Sequence, residues 1–339
     1  MTINLKQLSK LLKLSPTTVS RALADYPDVS AKTRARVKQM AIQQGYQPNP
    51  VARRLQKGKT ETIGIVITPE QNYFSDTFFI DLLSGISNQI TRAGYELILG
   101  VASDEEHEMQ SMRRMVEGKR VDGMILTLIR EQDPRVGYLL DRDFPFVLYG
   151  RTRETRPYAF VDMDGKQAFE KACTYLAGLG HRRIALLNGE PGFMFPVGCR
   201  EGYESGLFLS GLELDPDLIR EWKHKDPSQS SYRWTLELFK NDNPPTAILF
   251  QTEAVNGIFK ALDELDLQPG KDVALIGYDD LEIARIHRPS LSVLRPQARE
   301  AGQRVVNILL EVIKGEDPGK FQEIHQVEMV IRETSLPPS

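Results

Sequence analysis

The chain has 339 residues, is 41% hydrophobic and 26% charged, and carries a formal net charge of −3. It is long enough for a small domain plus two larger lobes, each with its own core. No apolar run approaches the roughly 18 residues that span a bilayer, and the first residues read as a polar helix instead of a signal peptide, so a soluble, cytoplasmic protein is expected.

Charge is unevenly placed along the chain. Residues 1–60 hold twelve Lys or Arg and only two acids, Asp25 and Asp28, a net of +10, which leaves −13 for residues 61–339. A basic head on an acidic body is an electrostatic footprint for nucleic acid, although a solvated basic face alone would also be basic.

From Ile3 to Ala24 the pattern predicts two short helices with a tight break at Lys13 and Leu14, a helix-turn-helix. Ser15 is a favoured N-cap and Pro16 suits the first helical position, where its missing N–H costs nothing. Val19 and Leu23, four apart, are expected to form the buried stripe, with Thr17 and Arg21 on one outward face able to reach base edges. Arg21 is the candidate donor to guanine, and Thr18 and Ser20 are candidates for phosphate contacts. A third helix runs from the Ser30 cap to the Gly45 stop, with Val37 and Ala41 inside. Beyond it, Asn49 can cap and Pro50 can open a short helix through Gln56, about one and a half turns and too short to be stable alone.

From Glu61 onward, short apolar strands alternate with amphipathic helices. Strands are expected at 63–67, 97–101, 123–127 and 146–148, with helices at 79–93 and 105–117, and a second series of strands follows at 184–187, 247–250 and 273–276. This alternation predicts two α/β lobes with parallel sheets and a ligand cleft beyond the carboxyl ends of their strands. Arg151, after Leu148-Tyr149-Gly150, ends a strand at that cleft, or is simply a solvated arginine. Cys173 and Cys199 have no metal spacing; Cys173 reads as a core residue, and Cys199, beside Arg200, is a candidate neighbour of a ligand.

Four fragments carry a specific resemblance: Thr18-Val-Ser-Arg21, Val29-Ser-x-x-Thr-Arg-x-x-Val37, Gly45-Tyr-x-Pro-Asn49 and Ala52-Arg-x-Leu55. In this order and spacing they resemble the lac repressor / purine repressor family. The likeness continues through Val121-Asp-Gly123, Leu179-Gly-His-Arg-Arg-Ile-Ala-Leu-Leu187, Gly277-Tyr-Asp-Asp280 and Pro289-Ser-Leu-Ser292, so it covers nearly the whole chain. It implies a helix-turn-helix DNA-binding domain at 1–48, a hinge helix and linker at 49–60, and a two-lobed effector domain at 61–339 built like periplasmic sugar-binding proteins. The chain would cross between lobes three times, with lobe one at 61–161 plus 292–322 and lobe two at 162–291 plus 323–339.

The resemblance also implies site residues. Two hinge helices would meet in the minor groove with Leu55 wedged into a base step, and Asn49, Arg53 and Leu55 are the hinge's candidate DNA contacts. Leu55 packing on its own domain remains the plain alternative. In the effector cleft the candidates are Phe78, Phe79, Arg200 and Asp279, joined by Arg151. Asp279 and Arg200 could instead pair with each other or cap helices, and either Phe could belong to the core.

The chain departs from the family pattern at Gln251-Thr252-Glu253 and around Asp226, which bears on effector identity. The apolar run Phe193-Met-Phe-Pro196 either lines the pocket or tucks over the second lobe.

No phosphate-binding, dinucleotide, nucleophile-elbow or zinc-helix motif is present, so no enzyme, cofactor or metal is expected. The sequence is thus read as a homodimeric, effector-controlled transcriptional regulator. It would bind a palindromic operator on double-stranded DNA, most simply as a repressor of a carbohydrate-utilisation operon released by a mono- or oligosaccharide. A purine-type corepressor, a partner phosphoprotein and a sugar-responsive activator stay open as alternatives.

Overall fold

The structure, a computed structural model, describes residues 3–46, 59–67, 77–222, 227–251 and 254–338. It divides into two compact units, Met1–Glu61 and Thr62–Ser339. The hinge candidates Asn49, Arg53 and Leu55, the Thr252 and Glu253 departures and the Asp226 region lie outside the described residues.

Among the described residues, the first unit holds three helices, α1 (Leu5–Leu12), α2 (Pro16–Leu23) and α3 (Ala31–Gln43). Asn4 and Gln7 form a reciprocal capping box at the start of α1, and Lys13 adopts a left-handed φ of 54° at its end, which makes the tight break. Ser15 caps α2 by accepting from the Thr18 amide at 3.1 Å. Leu8, Leu12, Val19, Ala22, Val37 and Ala41 close a small core. The inner pair of α2 is thus Val19 and Ala22, three apart, while Leu23 is only half-buried, a correction to the i, i+4 stripe expected. Both spacings put residues on one side of a helix, and the small Ala22 lets α2 settle closely on its neighbours.

The second unit begins with β1 (Thr62–Ile67), α4 (Thr77–Arg92), β2 (Glu96–Val101), α5 (Glu105–Glu117), β3 (Gly123–Leu126), α6 (Pro134–Leu140), β4 (Phe146–Tyr149) and β5 (Ala159–Met163). It continues with α7 (Gly165–Gly178), β6 (Ile184–Asn188), α8 (Met194–Leu209), β7 (Ile219–Glu221), α9 (Pro227–Phe239), β8 (Ala247–Gln251), α10 (Val255–Glu264), β9 (Ala274–Tyr278) and α11 (Glu282–Ile286). It ends with β10 (Ser292–Arg295), α12 (Ala298–Ile313), β11 (Gln322–His325) and β12 (Glu328–Val330).

Two six-stranded sheets result, in the orders β11-β5-β4-β3-β1-β2 and β12-β10-β9-β8-β6-β7. Among the described residues, all strand pairings within these two sheets are parallel except β10 with β12. Helices cover both faces, so every residue of β1 is buried, as its unbroken apolar run requires.

The crossings between lobes differ from those expected at 161/162, 291/292 and 322/323. β5 stays in the first sheet through Met163, β10 at 292–295 belongs to the second sheet, and β11 at 322–325 returns to the first by pairing with β5. The chain crosses at strand ends because a strand cannot leave its sheet midway without orphaning backbone groups. Helix α12 packs on α4, where both Gly85 and Gly302 are required. A Cβ on Gly85 would stand 2.1 Å from the Arg299 carbonyl oxygen, and one on Gly302 would stand 2.3 Å from that of Leu82.

Candidate functional site

The basic unit presents α2 to solvent. Pro16, Thr17 and Arg21 are exposed on it, while Thr18 and Ser20 are half-buried. The Thr18 hydroxyl shares a 2.8 Å hydrogen bond with that of Ser15. Arg21 pairs with Asp28 at 2.9 Å, and its guanidinium lies over the Tyr26 ring, 5.1 Å from the centroid. The head's other acid, Asp25, pairs with Lys38 at 2.7 Å, which holds its carboxyl below the usual range. Arg36 donates to the Leu12 carbonyl at 3.1 Å and so caps the C-terminus of α1 with a cation.

In the second unit, the carboxyl ends of strands from both sheets open on one cleft of about 540 Å³. β4 delivers Tyr149 and Arg151, β5 delivers Asp162, and β9 delivers Tyr278 and Asp279. Asp279 has φ 87° and is anchored by its amide, which donates to the Leu294 carbonyl at 2.8 Å. A non-glycine residue held left-handed costs about 1–2 kcal/mol, a strain that places its side chain at the cleft wall.

Aromatic side chains flank these polar groups. Phe78 and Tyr149 lie 5.8 Å apart on the first lobe, and Phe195 and Tyr278 lie 4.6 Å apart on the second. Phe79 also lines the cleft but is 97% buried within the core, so Phe78 is the ring that offers its face. Met194 and Phe195 of the apolar run line the cleft at the start of α8, and Phe193 packs at its edge against Arg130.

Charge in the cleft is internally matched. Arg151 donates to Asp162 at 2.5 Å, Arg153 to Glu131 at 2.8 Å, and Lys166 to Glu201 at 3.1 Å. Burial pushes the Asp162 carboxyl up, against the opposing pull of Arg151.

The structure therefore brings together Phe78, Phe79, Arg151 and Asp279, and leaves out Arg200. That guanidinium donates to Glu204 at 2.9 Å and reaches Glu221 at 3.4 Å, and it is not among the residues that line the cleft. Cys199, one residue earlier and about 100° around the helix, is the fully buried neighbour of this wall. Its thiol is pushed well up by burial, with Asp279 and Asp162 adding to the effect. Sequence reasoning missed Asp162, Thr127, Lys166 and Glu201; for Asp162 the signal was an acid interrupting the apolar segment Ala159-Phe-Val-Asp-Met163 at a strand's carboxyl end.

Residues 4–49 match the family described as "Bacterial regulatory proteins, lacI family", and residues 173–335 match "Periplasmic binding protein-like domain". The HTH-type transcriptional regulator AglR of Rhizobium meliloti is 35% identical over 344 residues, covering 99% of this chain and 95% of its own. The chain belongs to the lacI family of bacterial transcriptional regulators. As a lacI-family regulator it is a DNA-binding protein and not an enzyme.

Its fold is that of the lac repressor dimer solved on operator with the anti-inducer ONPF, at a TM-score of 0.85 and 23% identity over 99% of this chain and 100% of that one. The regulator CelR, solved as a cellobiose complex, has the same fold, with a TM-score of 0.75 and 23% identity over 98% of this chain and 99% of that one. Among the described residues of this lacI-family regulator, no helix is long and apolar enough to cross a membrane.

Proposed function

We propose that this regulator represses a carbohydrate-utilisation operon in the cytoplasm, binding a palindromic operator as a homodimer and leaving it when a neutral sugar occupies the cleft. The observation that carries the effector class is the charge matching of the cleft. Each cation lining it among the described residues already faces a carboxylate: Arg151 with Asp162, Arg153 with Glu131, and Lys166 with Glu201. A phosphorylated ligand needs excess positive charge, whereas a polyol needs carboxylates to accept from its hydroxyls, a guanidinium to donate to its oxygens, and aromatic faces for its C–H surfaces. Asp279, Asp162 and Arg151 beside Phe78, Tyr149 and Phe195 offer that set.

On the DNA side, Arg21 and Thr17 of α2 read the major groove, with Thr18 and Ser20 on phosphates. Asn49, Arg53 and Leu55 form the hinge contacts in the minor groove. A sugar touching both lobes favours one lobe arrangement, and that arrangement sets the spacing of the first-lobe ends that carry the two hinges.

Thermal-shift titration against neutral sugars, sugar phosphates and nucleobases tests the effector class. Stabilisation by a neutral sugar alone supports it; stabilisation only by a nucleobase or a phosphorylated sugar overturns it. Leu55→Ala should leave effector binding intact and abolish operator bending, and an unchanged bend in a permuted-fragment gel assay rules out the wedge.

A further inference from the structure

Ile129-Arg130-Glu131 of the first lobe runs antiparallel to Gly192-Phe193-Met194 of the second. Arg130 faces Phe193 in an isolated bridge. The Glu131 amide donates to the Gly192 carbonyl at 2.9 Å, and the Met194 amide donates to the Ile129 carbonyl at 2.8 Å. The Arg130 guanidinium lies 5.6 Å from the centre of the Phe193 ring. Ile129 and Met194 both line the cleft, so this two-strand seam is part of its wall.

Behind the first-lobe half of the seam lies a buried ion cluster with no part in the cleft chemistry. Arg135, only 3% exposed, donates through Nε and Nη2 to Asp133 at 2.9 and 2.6 Å and through Nη1 to Glu108 at 2.6 Å. Its Nη2 also reaches the carbonyls of Thr127 at 3.1 Å and Leu128 at 2.9 Å. Asp133 accepts from the Arg130 amide at 3.2 Å, and Glu108 accepts from the Arg130 guanidinium at 3.1 Å. The donors of one guanidinium thus fix a segment in which Leu128 has φ 47°, a conformation leucine does not hold unaided. Thr127 lines the cleft with its hydroxyl oxygen buried and without a hydrogen-bond partner among the described residues.

We propose that the seam is a clasp that must open for effector to enter or leave the cleft, and that Arg135 is the positioning residue that holds its first-lobe half in register. The proposal rests on the reading that the cleft holds the effector. Opening the clasp breaks two backbone hydrogen bonds and separates Arg130 from Phe193 while the Arg135 cluster stays intact. The moving part is therefore the junction between lobes, and the first-lobe strip is rigid.

Arg130 and Phe193 are a non-hydrogen-bonded antiparallel pair, since the hydrogen bonds flank them. Such pairs place Cα atoms about 4.5 Å apart, within reach of a disulfide. The native Cys173 and Cys199 are buried and do not compete. In the full-length protein carrying Arg130→Cys and Phe193→Cys, oxidation should slow both uptake and release of a sugar by at least about tenfold, and reduction should restore them. Glucose, cellobiose and maltotriose serve as probes. Equal rates in the oxidised and reduced protein overturn the clasp.

A reduced protein that binds none of the three sugars counts against the sugar reading instead, and the clasp is then read without ligand by hydrogen exchange. Arg135→Lys and, on the opposite lobe, Phe193→Ala should each raise exchange at the Glu131 and Met194 amides by at least about tenfold, while β1 amides stay protected. Unchanged exchange at Met194 in Arg135→Lys overturns the positioning role, because Met194 lies on the other lobe and responds to Arg135 only through the seam. Unchanged exchange at both amides in Phe193→Ala overturns the seam as a cooperative unit.

Discussion

Arg21 of α2 is held by Asp28: the guanidinium Nη2 lies 2.9 Å from the carboxylate, with both side chains close to half exposed at 45% and 49%. An exposed pair of this kind is worth about 0–1 kcal/mol, so Arg21 can be given up cheaply to a better acceptor.

Arg21→Ala should cost about 1–3 kcal/mol for each half-site and relax preference at one base position. Asp28→Asn should keep the base preference and tighten operator binding about two- to fivefold, because it removes a competitor and a negative charge near phosphate. Selection from random DNA, followed by titration at fixed salt, reads both. Unchanged preference at every base in Arg21→Ala removes that residue from base readout.

Helices α7 and α8 meet backbone to side at Gly202, where an added Cβ would stand 2.1 Å from the Lys166 carbonyl oxygen. Gly202→Ala should destabilise the second unit by about 1–3 kcal/mol, since neither helix can shift without disturbing the core around Phe169 and Tyr203. Denaturant unfolding measures it; a midpoint equal to wild type would mean that the helices separate freely.

His181 is buried between two partners, with Nδ1 2.9 Å from the Thr246 hydroxyl and Nε2 2.9 Å from the Leu336 carbonyl oxygen. The carbonyl requires a proton on Nε2, and the Thr246 hydroxyl can donate to an unprotonated Nδ1, so both partners suit the neutral ring. Burial lowers its pKa below the ordinary 6.5, with the hydrogen bond to Leu336 opposing. Below pH 6.5 the unfolded chain then takes up a proton more readily than the folded one. The stability associated with the neutral ring is fully present above about 6.5 and is lost as pH falls from there toward the lower folded value. Unfolding titrations between pH 5 and about 8 should show this slope in wild type and a flatter one in His181→Gln. Equal slopes would assign the pH dependence to other groups.

Most strands legible in the sequence were runs of four or more apolar residues, such as β1 and β8, because sheets covered on both faces need no polar alternation. β5 and β10 were also missed, with apolar runs cut short by Asp162 and Arg295, and β7, β11 and β12 escaped for the opposite reason. They are short edge strands whose residues, Ile219-Arg-Glu221 and Gln322-Glu-Ile-His325, are half-buried or exposed and carry no period strong enough to read.

The cleft was half legible. Arg151 and Asp279 stand at strand ends after recognisable strands, whereas Asp162 interrupts its strand, and Lys166 and Glu201 sit on helices where spacing alone cannot show which face meets the other lobe. Arg200 was misplaced by one residue, because a helix turns about 100° per position and the sequence does not fix its rotation. The ion cluster at Arg135 gave no signal, since its partners are brought from Glu108 by the fold.

The central claim is that ligand in the cleft changes operator affinity, and Asp279 tests it most directly. The measurement is an operator titration of wild type and Asp279→Ala, each with and without the sugar that stabilises wild type. Wild type should lose about 5- to 150-fold in operator affinity when sugar is added, a coupling of about 1–3 kcal/mol. Asp279→Ala should bind operator as tightly as wild type without sugar and fail to release when sugar is added. A variant that releases like wild type would contradict the assignment of Asp279, and a wild type that binds operator more tightly with sugar would contradict the release of the repressor by its effector.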